Sequence, residues 1–464
     1  MEFKSEQYSV ACNLVSADLA VEKNIFPFKL EDNQLNIAIT NKNDLNTIKD
    51  LEFITGLRVV PTEFSLSKIR DMISLAYGDK KRTSISDKKV NNNVLSECSN
   101  IEYVNNIISD AIKCEASDIH FEVYKTGARI RFRIDGFLQE ISVLPISKFT
   151  PILSRLKIMA NLDIAEKRRP QDGRINFEYL GEQIDIRISS LPTSAGEKIV
   201  LRILDTSKVQ LDINKIGLND SQLKIFRKNI SLPYGMVLVT GPTGSGKTTT
   251  LYSALREIHS VEKNILTIED PIEFNIEGIN QSAVKHDIGY DFASALKSFL
   301  RQDPNVIMVG EIRDRETAEI AIRASLTGHL VFSTLHTNDS LSAITRLVDM
   351  GVDPYLVSSS LRMIVAQRLV RKICTCNKKH IRNNSNEESG CTICNNTGFR
   401  GRTAIFEILE VNEDLACLIS RNESNSSLRD AVRKNDFISL RDSGMEKVEA
   451  GHTTIEEVLR ETML

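Results

Sequence analysis

The sequence has no tryptophan, few aromatic residues and almost no net charge. Aromatic side chains make up 6% of its 464 residues, and the formal net charge is -3. A motor that moves along nucleic acid is expected to carry a basic stripe interleaved with aromatic side chains on which bases stack. Only a short basic face, formed by Arg129, Arg131 and Arg133, fits that description. The composition therefore disfavours a nucleic-acid motor.

Long apolar runs are also missing. The longest, such as residues 236–239 and 199–201, are far too short to cross a bilayer, which takes about 20 residues. No apolar core of a signal peptide follows Met1. Four of the eight cysteines lie between Cys374 and Cys394, so they are not spread along the chain as a disulfide framework would be. These absences together predict a cytoplasmic protein with reduced thiols.

A phosphate-binding loop is the most informative feature that the sequence does contain. An apolar segment of strand type, residues 236–240, leads into glycines whose backbone N–H groups can surround phosphate oxygens, and residues 249–255 favour a helix. The spacing predicts that Lys247 reaches the outer phosphates of ATP or GTP and that the Thr248 hydroxyl binds Mg²⁺. The predicted nucleotide-binding residues are Gly241, Pro242, Thr243, Gly244, Ser245, Gly246, Lys247, Thr248 and Thr249.

The length predicts two or three domains. The segments that we predict are, in chain order, a small α/β module at 1–78, a polar flexible linker at 79–97, a mixed α+β domain at 98–205, a short connection at 206–214 and a P-loop α/β domain at 215–464, which contains a cysteine-rich insertion at 374–394. The first module should contain a strand at 35–39 and a helix at 45–53. In the second domain, Asp135 and Gly136 are typical of a hairpin turn between strands at 129–134 and 137–143.

Two further predicted strands end in acidic residues. Residues 264–268 are followed by Glu269 and then Glu273, and residues 306–309 are followed by Glu311. Parallel α/β sheets bind ligands beyond the carboxyl ends of their strands, so either acid can hold a Mg²⁺-bound water or accept a proton from the attacking water. A helix N-cap is the alternative for a single acid. Two such strand ends beside a P-loop favour a hydrolytic site.

A third predicted strand is followed by His336, which taken alone is more typical of a structural histidine. The order of the segments favours a catalytic role instead: the P-loop, the acids after the second strand, Glu311 and residues 327–337 follow one another along the chain. This order resembles the secretion ATPase superfamily, whose Walker A motif, Asp box, atypical Walker B motif and His box these segments match. The resemblance implies a RecA-like P-loop domain in which Glu269, Glu273, Glu311 and His336 are catalytic.

The resemblance extends to the preceding domain. Segments between residues 116 and 202 match motifs of the second amino-terminal domain of these ATPases. In such enzymes that domain closes over the nucleotide and contributes arginines, which implies that Arg174 and Arg187 contact the γ-phosphate, with Arg202 a weaker candidate. The alternative for an isolated arginine is an ordinary surface salt bridge.

Two pairs of cysteines enclose a polar insertion. The predicted ligands of a tetrahedral structural zinc site are Cys374, Cys376, Cys391 and Cys394. The residues between the pairs include hardly any apolar side chain, so a metal would explain an ordered structure there. The first pair is separated by one residue, whereas the family more often has two, and His380 is therefore an alternative ligand. Free reduced cysteines are the alternative for the whole cluster.

The carboxyl-terminal segments 397–409, 439–444 and 451–460 resemble the ATPases of type II secretion and of type IV pilus assembly, the branch in which tetracysteine modules occur at this position. The resemblance implies a homo-hexameric, cytoplasmic motor on the inner face of the cytoplasmic membrane. It would hydrolyse ATP beneath an inner-membrane platform protein and so drive pilin subunits out of the membrane. Pilus retraction and competence-filament ATPases are alternatives within the family, and a nucleotide-regulated scaffold is an alternative outside it.

The first 77 residues match less sharply. They resemble the module with which such ATPases contact a cytoplasmic or membrane adaptor. Some relatives bind cyclic di-GMP there, but this chain lacks the repeated arginine-leucine-glycine segments expected of that mode. The sequence therefore predicts a docking module and disfavours dinucleotide binding.

Overall fold

The structure, a computed structural model, divides the chain into two compact units, Met1–Val94 and Leu95–Leu464. It describes residues 100–204, 211–376, 394–433 and 437–463, together with Cys391 and parts of the segment 15–72. The linker predicted at 79–97 and the alternative zinc ligand His380 lie outside the described residues.

The unit Met1–Val94 contains a three-stranded sheet and a helix. Its elements are β1 (Phe26–Glu31), β2 (Gln34–Ile39), α1 (Leu45–Thr55) and β3 (Arg58–Glu63). The central strand β2 is antiparallel to β1 and parallel to β3. Asp44 caps the start of α1, and Gly56, in the left-handed conformation, ends it. These elements confirm the strand and the helix predicted in this module.

The unit Leu95–Leu464 begins with a six-stranded antiparallel sheet and two helices. Its elements are α2 (Asn100–Lys113), β4 (Asp118–Tyr124), β5 (Gly127–Ile134), β6 (Phe137–Leu144), α3 (Ile146–Met159), β7 (Gln171–Tyr179), β8 (Glu182–Thr193) and β9 (Gly196–Leu204), with the strand order β6-β5-β4-β9-β8-β7. Ile130 and Phe132 of β5 are buried in the core that the sheet forms with the helices. The arginines that alternate with them belong to the opposite face, because successive side chains of a strand point to opposite sides. The predicted hairpin is confirmed by β5 and β6.

The same unit continues with a seven-stranded sheet. Its strands are β10 (Gly235–Thr240), β11 (Ile265–Glu269), β12 (Asn280–Ala283), β13 (Val306–Val309), β14 (Leu330–Leu335), β15 (Leu361–Ile373) and β16 (Phe399–Glu410), in the order β12-β11-β13-β14-β10-β15-β16. All neighbouring strands are parallel except β15 and β16. Every residue of β10, β11, β13 and β14 is buried, as expected for parallel strands covered on both faces. The strands predicted before the P-loop, the acids and His336 are all confirmed.

Helices connect these strands and complete the carboxyl-terminal part of the unit. They are α4 (Asp220–Ile230), α5 (Lys247–Ile258), α6 (Phe292–Phe299), α7 (Arg315–Leu326), α8 (Ser340–Asp349), α9 (Pro354–Ser360), α10 (Glu413–Ser420), α11 (Asn425–Arg433), α12 (Leu440–Glu449) and α13 (Ile455–Thr462), with a short 3₁₀ helix at His286–Ile288. The sequence did not predict the long hairpin formed by β15 and β16, which places the cysteines Cys374 and Cys394 at the end where the two strands are connected.

Candidate active site

The P-loop lies between the end of β10 and the start of α5. Gly244 and Gly246 have φ angles of 80° and 89°, in the left-handed region that favours glycine. Gly241 packs against β15, where an added Cβ atom would stand 2.5 Å from the backbone oxygen of Gln367. The backbone conformation and the close packing against β15 therefore require glycine at these positions. In this conformation the first N–H groups of α5 are available to bind an anion.

Lys247 lies over this loop. Its Nζ atom donates hydrogen bonds to the backbone oxygens of Gly241, at 2.7 Å, and of Pro242, at 3.1 Å. Burial lowers the pKa of Lys247 to about 8, against the opposing effect of the charge on Glu311. An anion bound in the loop would favour the charged form of this lysine.

Glu311 and His336 meet at the carboxyl edge of the sheet. They follow β13 and β14, which precede β10 in the strand order. Nε2 of His336 lies 3.1 Å from the Glu311 carboxylate, which also pairs with Arg313. The hydroxyls of Thr240 and Thr337 share a hydrogen bond of 2.7 Å, so the segment after His336 is fixed to the P-loop strand. A carboxylate oriented in this way can orient or deprotonate a water molecule.

Glu269 is buried at the end of β11, and both of its carboxylate oxygens accept hydrogen bonds. The donors are the hydroxyl of Tyr252, the hydroxyl of Thr267 at 2.6 Å and the side-chain amide of Gln281 at 3.2 Å. Burial, and then the charge of Glu269, raise the pKa of the Tyr252 hydroxyl, which therefore stays a donor. Glu269 is thus held in one orientation by its neighbours.

Three arginines lie side by side across the six-stranded sheet. Arg174 is opposite Arg187 in register, and Arg187 is opposite Arg202. Arg187 donates a hydrogen bond of 3.1 Å to the backbone oxygen of Ile272 and lies 3.8 Å from the carboxylate of Glu273. Like charges on adjacent strands are unfavourable. This row therefore favours the binding of an anion.

The outer members of the row differ in their environment. Arg202 pairs with the buried carboxylate of Asp118 at 3.0 Å, which agrees with its weaker candidacy. Arg174 is exposed, and within the described part of the chain it has no ion-pair partner. Arg174 is therefore free to contact a ligand.

The four predicted zinc ligands lie together. The Sγ atoms of Cys374 and Cys391 are 4.0 Å apart and those of Cys376 and Cys394 are 3.8 Å apart, and all four lie within 4.8 Å of one another. Four thiolates around a tetrahedral zinc ion, with Zn–S distances of about 2.3 Å, stand about 3.8 Å apart. The one-residue spacing of the first pair is thus compatible with ligation by all four cysteines.

Two polar residues on β15 were not predicted from the sequence. The side-chain oxygen of Gln367 accepts a hydrogen bond of 2.8 Å from the Thr250 hydroxyl on α5. Arg368 donates one of 2.8 Å to the backbone oxygen of Asn338. Neither belongs to a motif, and the only signal for them is a polar pair inside an otherwise apolar part of the strand.

Comparison with known families supports this assembly of motifs. A family model described as type II/IV secretion system protein matches residues 95–460, and a model of the MshEN domain matches residues 4–83. The chain belongs to the type II/IV secretion system protein family. The family predicted from the order of the motifs is therefore confirmed.

Relatives within this family cover most of the chain. It is 42% identical over 512 residues to the type IV pilus assembly ATPase PilB of Myxococcus xanthus, an alignment that spans 99% of this chain and 90% of that protein. It is 47% identical over 379 residues to the type II secretion system ATPase E of Vibrio cholerae, which covers 78% of this chain and 75% of that protein.

Two solved structures show the same fold. The Legionella pneumophila ATPase DotB aligns with a TM-score of 0.60 at 22% identity, over 81% of this chain and 97% of DotB. The pilus retraction motor PilT with bound ADP aligns with a TM-score of 0.54 at 29% identity, over 78% of this chain and 97% of PilT. These structures confirm the predicted α/β architecture, and the family and its relatives named as ATPases confirm the assignment as an ATP hydrolase. No described helix is long and apolar enough to cross a membrane.

Proposed function

We propose that this ATPase is the motor that assembles a type IV pilus or a type II secretion pseudopilus. The main support is the convergence of the P-loop, Glu311 and His336 at one edge of a parallel sheet. The relatives that align over most of the chain are named for these two machines. The four-cysteine cluster also favours the assembly and secretion branch.

ATP would bind with its phosphates against the backbone N–H groups of residues 241–248. Lys247 would leave the backbone oxygens of the loop and neutralise the outer phosphates, and the Thr248 hydroxyl would hold Mg²⁺, which would supply further charge neutralisation there. Glu311, oriented by His336, orients or deprotonates the attacking water. Glu269 is the second acid for this role, and its orientation is fixed by hydrogen bonds.

Substitution of the two acids tests these roles. Glu311→Gln keeps the shape of the side chain but removes the base, so we expect kcat to fall by about 100-fold or more while the affinity for ATP changes little. The kcat of Glu269→Gln, measured in parallel, shows how much each of the two acids contributes to activation of the attacking water. The control is Glu316→Gln, which alters an exposed ion pair with Lys297 on α6. A Glu311→Gln protein that hydrolyses ATP at the parent rate would overturn this site.

The arginines would complete the site from the second domain. Arg187 already contacts the segment that follows Glu269, and Arg174 is its neighbour in register. Closure of that domain on ATP would bring these guanidinium groups to the γ-phosphate, where their fork geometry suits phosphoryl oxygens. Glu273, which lies near Arg187, would hold that arginine until the nucleotide is bound.

Zinc is the metal that best suits the cluster of Cys374, Cys376, Cys391 and Cys394. Four thiolates at these separations form a closed structural site with no position for a substrate. The ion would cross-link the end of the β15–β16 hairpin. It would take no part in ATP hydrolysis.

The partners follow from the family. We propose a homo-hexamer at the cytoplasmic face of the inner membrane, in contact with a platform protein, with the amino-terminal module bound to a cytoplasmic or membrane adaptor. Inactivation of Lys247 in the native cell, with surface pili and secreted proteins assayed together, separates the branches. Loss of secretion alone indicates the type II branch and loss of pili alone indicates pilus assembly. An excess of pili would instead indicate retraction, the activity for which the PilT motor is named.

A further inference from the structure

We propose that Tyr252 is a positioning residue for hydrolysis, because it ties the helix that follows the P-loop to Glu269. The inference rests on the proposed function, in which Glu269 takes part in the reaction. Tyr252 belongs to none of the nucleotide-binding motifs. It lies on α5, five residues beyond Lys247.

The Tyr252 side chain is fixed on all sides. It is completely buried, and its hydroxyl donates a hydrogen bond to the Glu269 carboxylate. Its ring packs edge-on against Phe274, with 4.6 Å between the ring centroids and 80° between the ring planes. A phenol held in this way sets the orientation of the carboxylate as well as its own.

The other donors to Glu269 extend the network into the segment that follows it. Gln281 donates to the Glu269 carboxylate and, at 3.2 Å, to the backbone oxygen of Phe274, and it accepts a hydrogen bond of 2.7 Å from the backbone N–H of Ile276. The segment 270–276 is therefore fixed to the same carboxylate that Tyr252 holds. Arg187 contacts this segment at Ile272.

A continuous set of contacts thus leads from the nucleotide to the arginine row. Phosphate binding acts on the first turn of α5, and Tyr252 stands little more than one turn further along the same helix. A shift of α5 on binding ATP would move Tyr252 and with it Glu269.

Charged groups surround the pair formed by Tyr252 and Glu269. Glu273 adds a further negative charge that raises the pKa of the Tyr252 hydroxyl. Asp270, next to Glu269, lies 3.5 Å from His286 and 3.7 Å from Arg313, so its charge is partly compensated. A hydrogen-bond donor to an ionised carboxylate stabilises its charged form. Loss of the Tyr252 hydroxyl should therefore shift the acidic limb of the pH profile of kcat to higher pH.

The test is Tyr252→Phe in the full-length chain, which removes one hydroxyl and leaves the ring packing unchanged. We expect kcat to fall about tenfold with KM within about twofold of the parent, and the acidic limb of kcat to move to higher pH. Thr267→Val, which removes another donor, should shift the profile in the same direction. The matched control is Tyr234→Phe, a half-exposed tyrosine that lies beside Arg362. It should leave kcat and the profile unchanged.

Three outcomes would overturn the inference. If Tyr252→Phe has the parent kcat and pH profile while Glu269→Gln is inactive, the inference fails and the proposed role of Glu269 stands. If Glu269→Gln keeps full activity, the role of Glu269 fails together with the inference. A thermal unfolding scan of each variant accompanies these measurements. A lower midpoint with an unmoved pH profile would identify a purely structural tyrosine and would also contradict the proposal.

Discussion

Arg187 of the six-stranded sheet donates its hydrogen bond to the backbone oxygen of Ile272, 85 residues further along the chain. The contact is narrow, with one hydrogen bond and a longer ion pair to Glu273. At the opposite edge of the same sheet, the carboxylate of Asp135 accepts a hydrogen bond of 2.8 Å from the backbone N–H of Gly401. The six-stranded sheet that carries the arginines is therefore linked to segments of the seven-stranded sheet at two well-separated places.

Removal of the Arg187 guanidinium should affect catalysis more than folding. We expect Arg187→Ala to lower kcat by at least about tenfold, because the charge on the transferring phosphoryl group loses its partner. Arg187→Lys should recover only part of the rate, since an ammonium group lacks the fork geometry. Steady-state ATP hydrolysis by the full-length protein measures both variants.

The control for Arg187 is Arg168→Ala. Arg168 lies between α3 and β7, its side chain is 89% exposed, and its ion-pair partner among the described residues is Glu166, two residues away. It should keep the parent kcat. Equal losses in the two variants would show that Arg187 acts through the general charge of the domain and not at the nucleotide.

The lowered pKa of Lys247 predicts that ATP affinity depends on pH. Without nucleotide, this lysine titrates near pH 8, and ATP binds the charged form. Affinity should therefore be constant below about pH 7.5 and fall by about tenfold for each unit above pH 8. Calorimetry at pH 8 in two buffers of different ionisation enthalpy should detect uptake of a proton on binding. Lys247→Arg, whose guanidinium stays charged, should remove this dependence of the affinity on pH in the alkaline range.

Folding stability should change in the opposite direction. The pKa of Lys247 in the folded protein is below its ordinary value of 10.5, so the unfolded chain binds more protons between about pH 8 and 10.5. The contribution of this lysine to the stability of the nucleotide-free protein therefore becomes more favourable as the pH rises through that window. A thermal scan that shows the same trend in Lys247→Met would contradict this assignment.

Local signals were sufficient to predict the framework of the site. The glycines before Lys247 reflect the backbone geometry of the loop, and the apolar residues before Glu311 reflect the burial of a strand. Both patterns can be recognised within a short segment of sequence. Parallel strands place their carboxyl ends at one edge. For that reason the meeting of Glu311 with the P-loop could be expected from the order of the strands and motifs alone.

Contacts between distant segments could not be predicted in the same way. Thr250 and Gln367 are 117 residues apart and meet because β15 lies beside β10. The pairing of Ile373 with Phe399 likewise brings the two ends of the cysteine insertion together. Strand order is set by the packing of the whole sheet and cannot be derived from sequence spacing. For that reason the spacing of the cysteines could not decide whether Cys376 is a zinc ligand.

Glu407 should be important for stability. Its buried carboxylate accepts hydrogen bonds from the backbone N–H of Ser340 at 2.9 Å and of Leu440 at 3.2 Å, and so caps the starts of α8 and α12. Glu407→Ala leaves two buried N–H groups without this acceptor, which should cost about 2–4 kcal/mol. Glu410→Ala on the same strand removes contacts with the exposed Lys228 and with the side-chain amide of Asn229, which keeps its hydrogen bond to the backbone oxygen of Ile225, and should cost less, about 1 kcal/mol. Urea unfolding followed by helical circular dichroism compares the two, and equal midpoints would contradict the proposed capping role.

Loss of the metal should weaken the hairpin end without changing nucleotide binding. The purified protein should contain about one zinc ion per chain, and Cys391→Ser should reduce this to less than half, because three thiolates bind zinc less tightly than four. Cys417→Ser, an exposed free cysteine on α10, is the control and should keep the zinc. The backbone N–H of Cys374 donates to Gly398 at 2.8 Å, so the cluster supports the same strand ends that carry the contact of Gly401 with Asp135. The zinc-free protein should therefore unfold at a lower temperature and still bind ATP with the parent affinity. If Cys391→Ser retains a full equivalent of zinc, the four-cysteine assignment is wrong.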